Sequence, residues 1–292
     1  MSATITTPEV HSRPYLIEAG ELNQRLKDGQ RTVILDIRFR PDRADGRPAY
    51  REGHIAGAAY VDLPLDLAGQ PVGFSGRRPL PEISVLQRDA RRWGINKGDT
   101  VVVYDDNRGL QAGRAWWVLR WAGISDVRLL NGGLTAWVAA GLPLTERIAL
   151  PDAGNVELSA GHLRDISADE AASRPHSGVL LDARSRDQYD GNPGDFSDRE
   201  TGHIPGAVSL PATEYLGADG RILPAETIRA RLAHANAAGE KPIGIYCGGG
   251  VAGAFSTLVL ASAGIDAELF VGSWSAWSSD PSRPVEKTSC AA

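Results

Sequence analysis

The feature that most constrains this chain is that it reads twice. Val33-Ile34-Leu35-Asp36-Ile37-Arg38 returns as Val179-Leu180-Leu181-Asp182-Ala183-Arg184, and Gly53-His54-Ile55-Ala56-Gly57-Ala58 returns as Gly202-His203-Ile204-Pro205-Gly206-Ala207. Val101-Val102-Val103-Tyr104-Asp105 answers Ile243-Gly244-Ile245-Tyr246-Cys247, and Ala122-Gly123-Ile124 answers Ala263-Gly264-Ile265. Gly133-Leu134-Thr135-Ala136-Trp137 answers Gly272-Ser273-Trp274-Ser275-Ala276-Trp277. Matches that recur in one order mark a duplicated domain, and 292 residues suffice for two domains of ordinary size. Each half alternates short apolar strands with helical periods. That pattern predicts an α/β fold of two tandem domains, each a parallel sheet flanked by helices.

The expected limits are an N-terminal tail over 1–14, a first domain over 15–145, a linker over 146–159, a second domain over 160–285 and a C-terminal tail over 286–292. Residues 141–159 hold two prolines, two glycines and no sustained period, which is why the linker is placed there.

The second half carries the chemistry. Ile243-Gly244-Ile245-Tyr246 reads as a buried strand, and Cys247 closes it at the start of Gly248-Gly249-Gly250-Val251-Ala252-Gly253. Val251, Ala254, Phe255, Leu258, Val259 and Ser262 then follow a helical period. A helix N-terminus has unpaired N–H groups and positive partial charge, and a thiolate there is stabilised as a nucleophile. The glycines let several N–H groups turn toward one point. In the first half Asp105 stands at the position of Cys247, so only the second half has a thiol there. A buried, inert cysteine is the competing reading.

Bulk properties exclude several classes. A net charge of −5 gives no reason to expect nucleic acid or an anionic membrane as partner. Two cysteines make no disulfide framework and suit a reducing cytoplasm. The first ten residues show no secretory signal, and no apolar run is long enough to span a bilayer. The six histidines show no paired ligand spacing, so no metal is expected. Gly248-Gly249-Gly250 lacks the lysine of a phosphate-binding loop. The arginine that a cysteine phosphatase places at the far end of its loop is Gly253 here.

With those motifs in view, the chain resembles the tandem-domain rhodanese family of thiosulfate and 3-mercaptopyruvate sulfurtransferases. The resemblance runs from about Tyr15 to about Val285, on the Leu-Asp-x-Arg strand end, the Gly-His-Ile-x-Gly-Ala turn, the cysteine loop and the closing Gly-Ser-Trp segment. It implies a catalytically silent first domain and a catalytic second one, with Cys247 facing a cleft between them. It also implies a persulfide cycle: Cys247 takes sulfane sulfur from a small donor and passes it to cyanide or a thiol, such as a thioredoxin-like reductant. No cofactor is implied. The backbone of Gly248 through Gly253 is expected to hold the thiolate and persulfide.

Two departures bear on the donor. The loop lacks the arginine and lysine of thiosulfate-type enzymes and stands nearer the mercaptopyruvate type, although that type's loop serine is Gly249 here. The family's donor-binding arginine is Gln188, before Tyr189, which leaves Arg186 and Arg199 as substitutes; His54 is a further cleft candidate. On its loop the expected donor is 3-mercaptopyruvate, with thiosulfate next. A sulfur-relay or binding module with negligible turnover of small donors is the alternative. Asp36, Asp182, Arg38, Arg184 and His203 read as structural, Trp116, Trp117 and Trp121 as core, and Cys290 as a tail residue. Arg114 reads either as facing the donor or as part of a solvated helix face.

Overall fold

A computed structural model describes residues 15–39, 45–192, 200–238 and 241–288. The first half runs β1 (Leu16–Ile17), α1 (Ala19–Lys27), β2 (Thr32–Asp36), α2 (Arg47–Glu52), β3 (Ala58–Tyr60), α3 (Leu63–Asp66), α4 (Ile83–Arg92), β4 (Thr100–Tyr104), α5 (Leu110–Trp121), β5 (Val127–Leu130) and α6 (Gly133–Ala139). The second runs α7 (Ala168–Ser177), β6 (Val179–Asp182), α8 (Arg186–Asp190), β7 (Val208–Ser209), a 3-10 turn (Ala212–Tyr215), α9 (Ala225–His234), β8 (Ile243–Tyr246), α10 (Ala252–Ser262), β9 (Glu268–Leu269) and α11 (Ser273–Trp277). Both sheets are parallel, in the orders β1-β5-β4-β2-β3 and β7-β6-β8-β9. The two α/β domains expected from the repeat are what the chain forms.

The strands are continuous apolar runs because helices cover both faces of each sheet. Val101, Val102 and Val103 of β4 are fully buried, as is Ile245 of β8. The registers Asp36↔Tyr104 and Asp182↔Tyr246 bring equivalent strand ends together in the two domains. At each end an arginine closes on the aspartate: Arg38 Nη2 donates to Asp36 Oδ2 at 2.9 Å and Arg184 Nη2 to Asp182 Oδ2 at 2.6 Å. Arg38 also donates to Gly53 O and Arg184 to Gly202 O, so each pair ties its strand end to the Gly-His turn. These four residues are structural, as their positions at strand ends imply.

Helices α5 and α10 begin at the carboxyl ends of β4 and β8 and are buried almost all round. Each packs on its own sheet and on the other helix, so a single apolar face does not suffice. At the crossing a Cβ on Gly113 would stand 2.6 Å from the Phe255 Cα, which only glycine permits. One apolar cluster therefore runs through both domains, from Val103 and Trp117 to Phe255 and Leu258. Trp116 and Trp117 lie in it and Trp121 packs against it. Residues 146–159 contain no helix or strand.

A second connection comes from residues 67–82, between α3 and α4. This strap leaves the first domain and docks on the second. The Arg77 N–H donates to Ser275 Oγ at 3.0 Å, and a Cβ on Gly76 would lie 2.5 Å from Gly272 O.

Candidate active site

In an open α/β sheet, ligands bind beyond the strand carboxyl ends where successive connections diverge. In the second sheet that point lies between β6 and β8, since β6 leads out to β7 on one side and β8 to β9 on the other. A cleft of about 310 Å³ opens there. Cys247, Gly248, Gly249, Val251 and Ala252 form part of its wall, with Arg184 and Ser185 from the loop after β6 and Gln188 from α8. The first domain contributes Phe39, Arg77, Arg78, Asn107, Leu110 and Gln111. A second cavity of about 400 Å³ lies beside the same strap, between Phe74 and Phe270, and has no cysteine in its wall.

Cys247 is 2% exposed, so its sulfur is reached through the cleft. The first domain shows what its loop is shaped for. Asp105, at the repeat position of Cys247, is fully buried and accepts four backbone N–H groups: from Asn107, Gly109 and Gln111 at 2.8 Å and from Ala112 at 2.9 Å. The two loops share part of their backbone course. Arg108 (φ 61°) and Gly250 (φ 75°) occupy the same left-handed position, and Leu134 N donates to Asp105 O as Trp274 N does to Cys247 O. The repeat positions of the four donors to Asp105 are Gly249, Val251, Gly253 and Ala254, and the backbone differs at one of them: Gly109 is left-handed (φ 90°) and Val251 is not (φ −97°). The first-domain loop is an anion nest at a helix N-terminus, filled by the carboxylate. In the second domain the Cys247 side chain stands at that repeat position, its sulfur 3.8 Å from Ser273 Oγ.

Gly250 departs from the expectation that every N–H from Gly248 to Gly253 serves the sulfur. Its N–H donates to Ser273 Oγ at 3.1 Å, and its φ of 75° with Val271 O 2.6 Å from a notional Cβ makes glycine obligatory. Gly253 lies behind the loop rather than in the cleft wall, with Leu269 Cδ1 2.9 Å from its notional Cβ.

Ser273 was not singled out in the sequence, though the repeat carried a signal: its counterpart is Gly133. Both adopt a left-handed backbone, φ 54° and 58°. A serine tolerates that strain only where its side chain is needed. Its Oγ accepts from the N–H groups of Cys247 (3.2 Å) and Gly250 (3.1 Å), donates to Phe270 O (2.8 Å) and lies 3.8 Å from Cys247 Sγ. Ser273→Ala leaves those buried groups without their partner and is expected to cost about 2 kcal/mol of stability, with slower sulfur loading of Cys247. Urea unfolding and timed mass spectra after donor addition measure both; an unchanged midpoint would show that Oγ holds nothing.

Positive charge reaches the loop from the first domain through Arg77 and Arg78, which the sequence reading did not single out. Arg77 Nη2 donates to Gly248 O at 3.0 Å, and Arg78 Nη1 lies 3.3 Å from a notional Cβ on Gly249. Arg78 is half-buried, with its guanidinium 5.3 Å from the centre of the Phe39 ring. Burial and neighbouring Arg77 push its pKa down, opposed by a negative Cys247. Arg114 fits neither sequence reading. It is completely buried and donates to Leu67 O (3.2 Å), Arg78 O (3.1 Å) and Gly250 O (3.3 Å), pinning the strap to the cysteine loop. Burial pushes its pKa down to about 10, against the field of a negative Cys247, so it stays charged at neutral pH.

The other candidates separate clearly. Gln188 lines the cleft, its Oε1 accepting from Ser185 Oγ at 3.3 Å. Arg186 is exposed and outside the cleft wall. His54 is a correction: it is fully buried, stacked on Tyr50 at 3.9 Å, with Nδ1 2.8 Å from Tyr50 O and Nε2 3.2 Å from Arg147 O. His203 repeats that arrangement on Tyr189, so the shared Gly-His turn is a structural device and not a cleft element. Arg199 and Cys290 lie outside the described residues. Among the described residues no group of three His, Cys, Asp or Glu side chains is placed to hold a metal ion, and no helix is long and apolar enough to cross a membrane.

Comparison with known proteins gives the kin of this fold. The rhodanese-like domain model matches residues 18–140 and again 167–280. SseB of Mycobacterium tuberculosis, provisionally named a thiosulfate sulfurtransferase, is 42% identical over 276 residues, covering 92% of this chain and 96% of its own. The thiosulfate sulfurtransferase of Azotobacter vinelandii is 31% identical, covering 94% of this chain and 98% of its own. The crystal structure of SseA from Escherichia coli, described as a 3-mercaptopyruvate sulfotransferase with the rhodanese fold, superposes with a TM-score of 0.79 at 27% identity. It covers 90% of this chain and 99% of SseA.

Proposed function

Because this chain belongs to the tandem rhodanese-domain family of thiosulfate/3-mercaptopyruvate sulfurtransferases, we propose that Cys247 is its sulfur-carrying nucleophile and 3-mercaptopyruvate its preferred donor, with thiosulfate second. Sulfurtransferase activity of this type follows from the family. The observation that carries the residue assignment is the repeat: the position that holds a carboxylate gripped by four N–H groups in the first domain presents a cysteine to a cleft in the second.

The chemistry proceeds in two halves. The Cys247 thiolate attacks the donor's terminal sulfur. With thiosulfate the S–S bond breaks and sulfite leaves with the electron pair. With 3-mercaptopyruvate the C–S bond breaks, the electron pair passes to carbon as an enolate, and the thiol proton ends on the methyl group of pyruvate. In both cases Cys247 holds a persulfide anion, which the loop N–H groups stabilise. Cyanide or a thiolate then attacks the outer sulfur and returns the Cys247 thiolate. No metal or organic cofactor enters this cycle. The fit of the cleft limits acceptors to small molecules or to a thiol presented on a protruding segment, such as that of a thioredoxin-like reductant. The two-cysteine composition supports a reducing, cytoplasmic setting.

The preference for 3-mercaptopyruvate rests on Gln188. Its carbonyl is engaged by Ser185, which leaves its amide N–H groups to meet a neutral keto oxygen in the cleft. A second sulfonate charge would gain little from a neutral amide. Steady-state transfer to cyanide from the two donors, side by side, tests the reading. A higher kcat/KM with 3-mercaptopyruvate is the expected result. Preference for thiosulfate would overturn the donor assignment, and turnover of neither would move the protein to a relay role.

A further inference from the structure

A cation is the natural partner for the carboxylate or sulfonate of a small anionic donor, and among the described residues of the second domain that line the cleft none is free to take it. Gln188 is neutral. Arg184 is committed to Asp182 and Gly202 O and lies over the Trp274 ring at 4.5 Å. Arg186 is exposed and outside the cleft wall. From the first domain, Arg114 is spent on backbone carbonyls and Arg77 holds Gly248 O. Arg78 differs. It lines the cleft, rests on the Phe39 ring, lies against Gly249 two residues from Cys247, and pairs with no carboxylate among the described residues.

We propose that Arg78 binds the anionic group of the sulfur donor, so that the domain without a nucleophile supplies donor recognition. This rests on the reading of Cys247 as the sulfur carrier. The physical case has three parts. A half-buried guanidinium gains more from an anion than a fully hydrated one does. Its planar fork matches a carboxylate or sulfonate in a two-point contact. The adjacent Arg77 destabilises an empty site by like-charge repulsion, which a bound anion relieves. The placement also explains why a bare glycine loop suffices: without side chains at Gly248 and Gly249, guanidinium groups from the strap can close on the backbone, where a loop lysine or arginine would clash and repel.

The test measures binding and not turnover, so that it stands apart from the test of the nucleophile. Calorimetric titrations of thiosulfate and of 3-mercaptopyruvate into Cys247→Ser protein are compared with the same protein carrying Arg78→Ala, Arg78→Lys or Arg186→Ala. Arg78→Ala is expected to weaken both donors at least about tenfold, as loss of a charge-assisted contact does. Arg78→Lys should retain part of the affinity, because charge remains and the fork is lost. Arg186→Ala should change it less than about twofold, in line with the small effects of exposed charges. Near-ultraviolet circular dichroism checks that the tryptophan packing is intact. Equal affinity with and without Arg78, a larger loss from Arg186→Ala, or no binding to the Cys247→Ser protein overturns the assignment. Wild-type turnover with an unchanged Arg78→Ala titration would leave Cys247 in place and remove Arg78 alone.

Discussion

Cys247→Ser is expected to abolish sulfur transfer from either donor, by more than about a thousandfold, the scale seen when a covalent nucleophile is removed. Serine is nearly isosteric with cysteine, but its hydroxyl is not ionised near neutral pH and cannot hold sulfane sulfur. The fold should survive, because what anchors position 247 is its backbone. Its N–H donates to Ser273 Oγ at 3.2 Å and its carbonyl accepts from Trp274 N at 2.8 Å. Transfer to cyanide measures the loss, and intact mass after donor treatment should show one added sulfur on the wild type and none on the variant. Retained transfer would refute the site, since Cys290 is the only other thiol in the chain.

Asp105→Ala is expected to leave transfer per folded molecule intact and to destabilise the protein by about 3 kcal/mol, as four buried N–H groups lose a charged acceptor at once. From sequence, Asp105 is simply the residue that makes the first domain silent. In the structure it is also the keystone of a loop that packs at the domain junction. Burial raises its pKa while the N–H groups from Ala112, Gly109 and Asn107 pull it down. Removing the carboxylate leaves these donors facing a small cavity that lacks their partner. Asp105→Asn, which keeps one carbonyl oxygen, should fall between. Urea unfolding measures the loss and cyanide-transfer rates corrected for folded fraction measure the activity. A change in stability below about 1 kcal/mol would show that the loop finds other acceptors, and a loss of turnover like that of Cys247→Ser would show that the first domain takes part in the chemistry.

How far the site could be read from sequence differs residue by residue. The cysteine loop was legible because three local signals coincide there: a strand end, a glycine run and a helical period. The Asp–Arg pairs were legible as structural because they stand at strand ends, where such groups fix turns, and recurrence in both halves, only one of which carries a cysteine, points the same way for the Gly-His turns. That same logic assigns His54, whose stacking on Tyr50 is copied by His203 on Tyr189, yet sequence order alone left His54 as a cleft candidate. Ser273 was within reach of a comparison with Gly133, but its weight lies in hydrogen bonds to residues 23 and 26 positions away. Arg77 and Arg78 left no local trace. Neither belongs to a repeated motif, and Arg77 meets Gly248 across 171 positions of chain.

By itself, then, the sequence determined the duplication, the pair of parallel sheets and the placement of one cysteine at the head of a helix. Those follow from periodicity, strand and helix spacing and glycine tolerance, all of which act over a few neighbouring residues. Tertiary structure alone decided the electrostatics of the cleft. Charge acts through space and not along the chain, so the cations that surround Cys247 are those the packing of α5 on α10 and the docking of the strap bring there. That packing buries Arg114, puts Arg78 in the cleft wall beside the thiol, and leaves Arg186, nearest in sequence to the expected anion site, out in solvent.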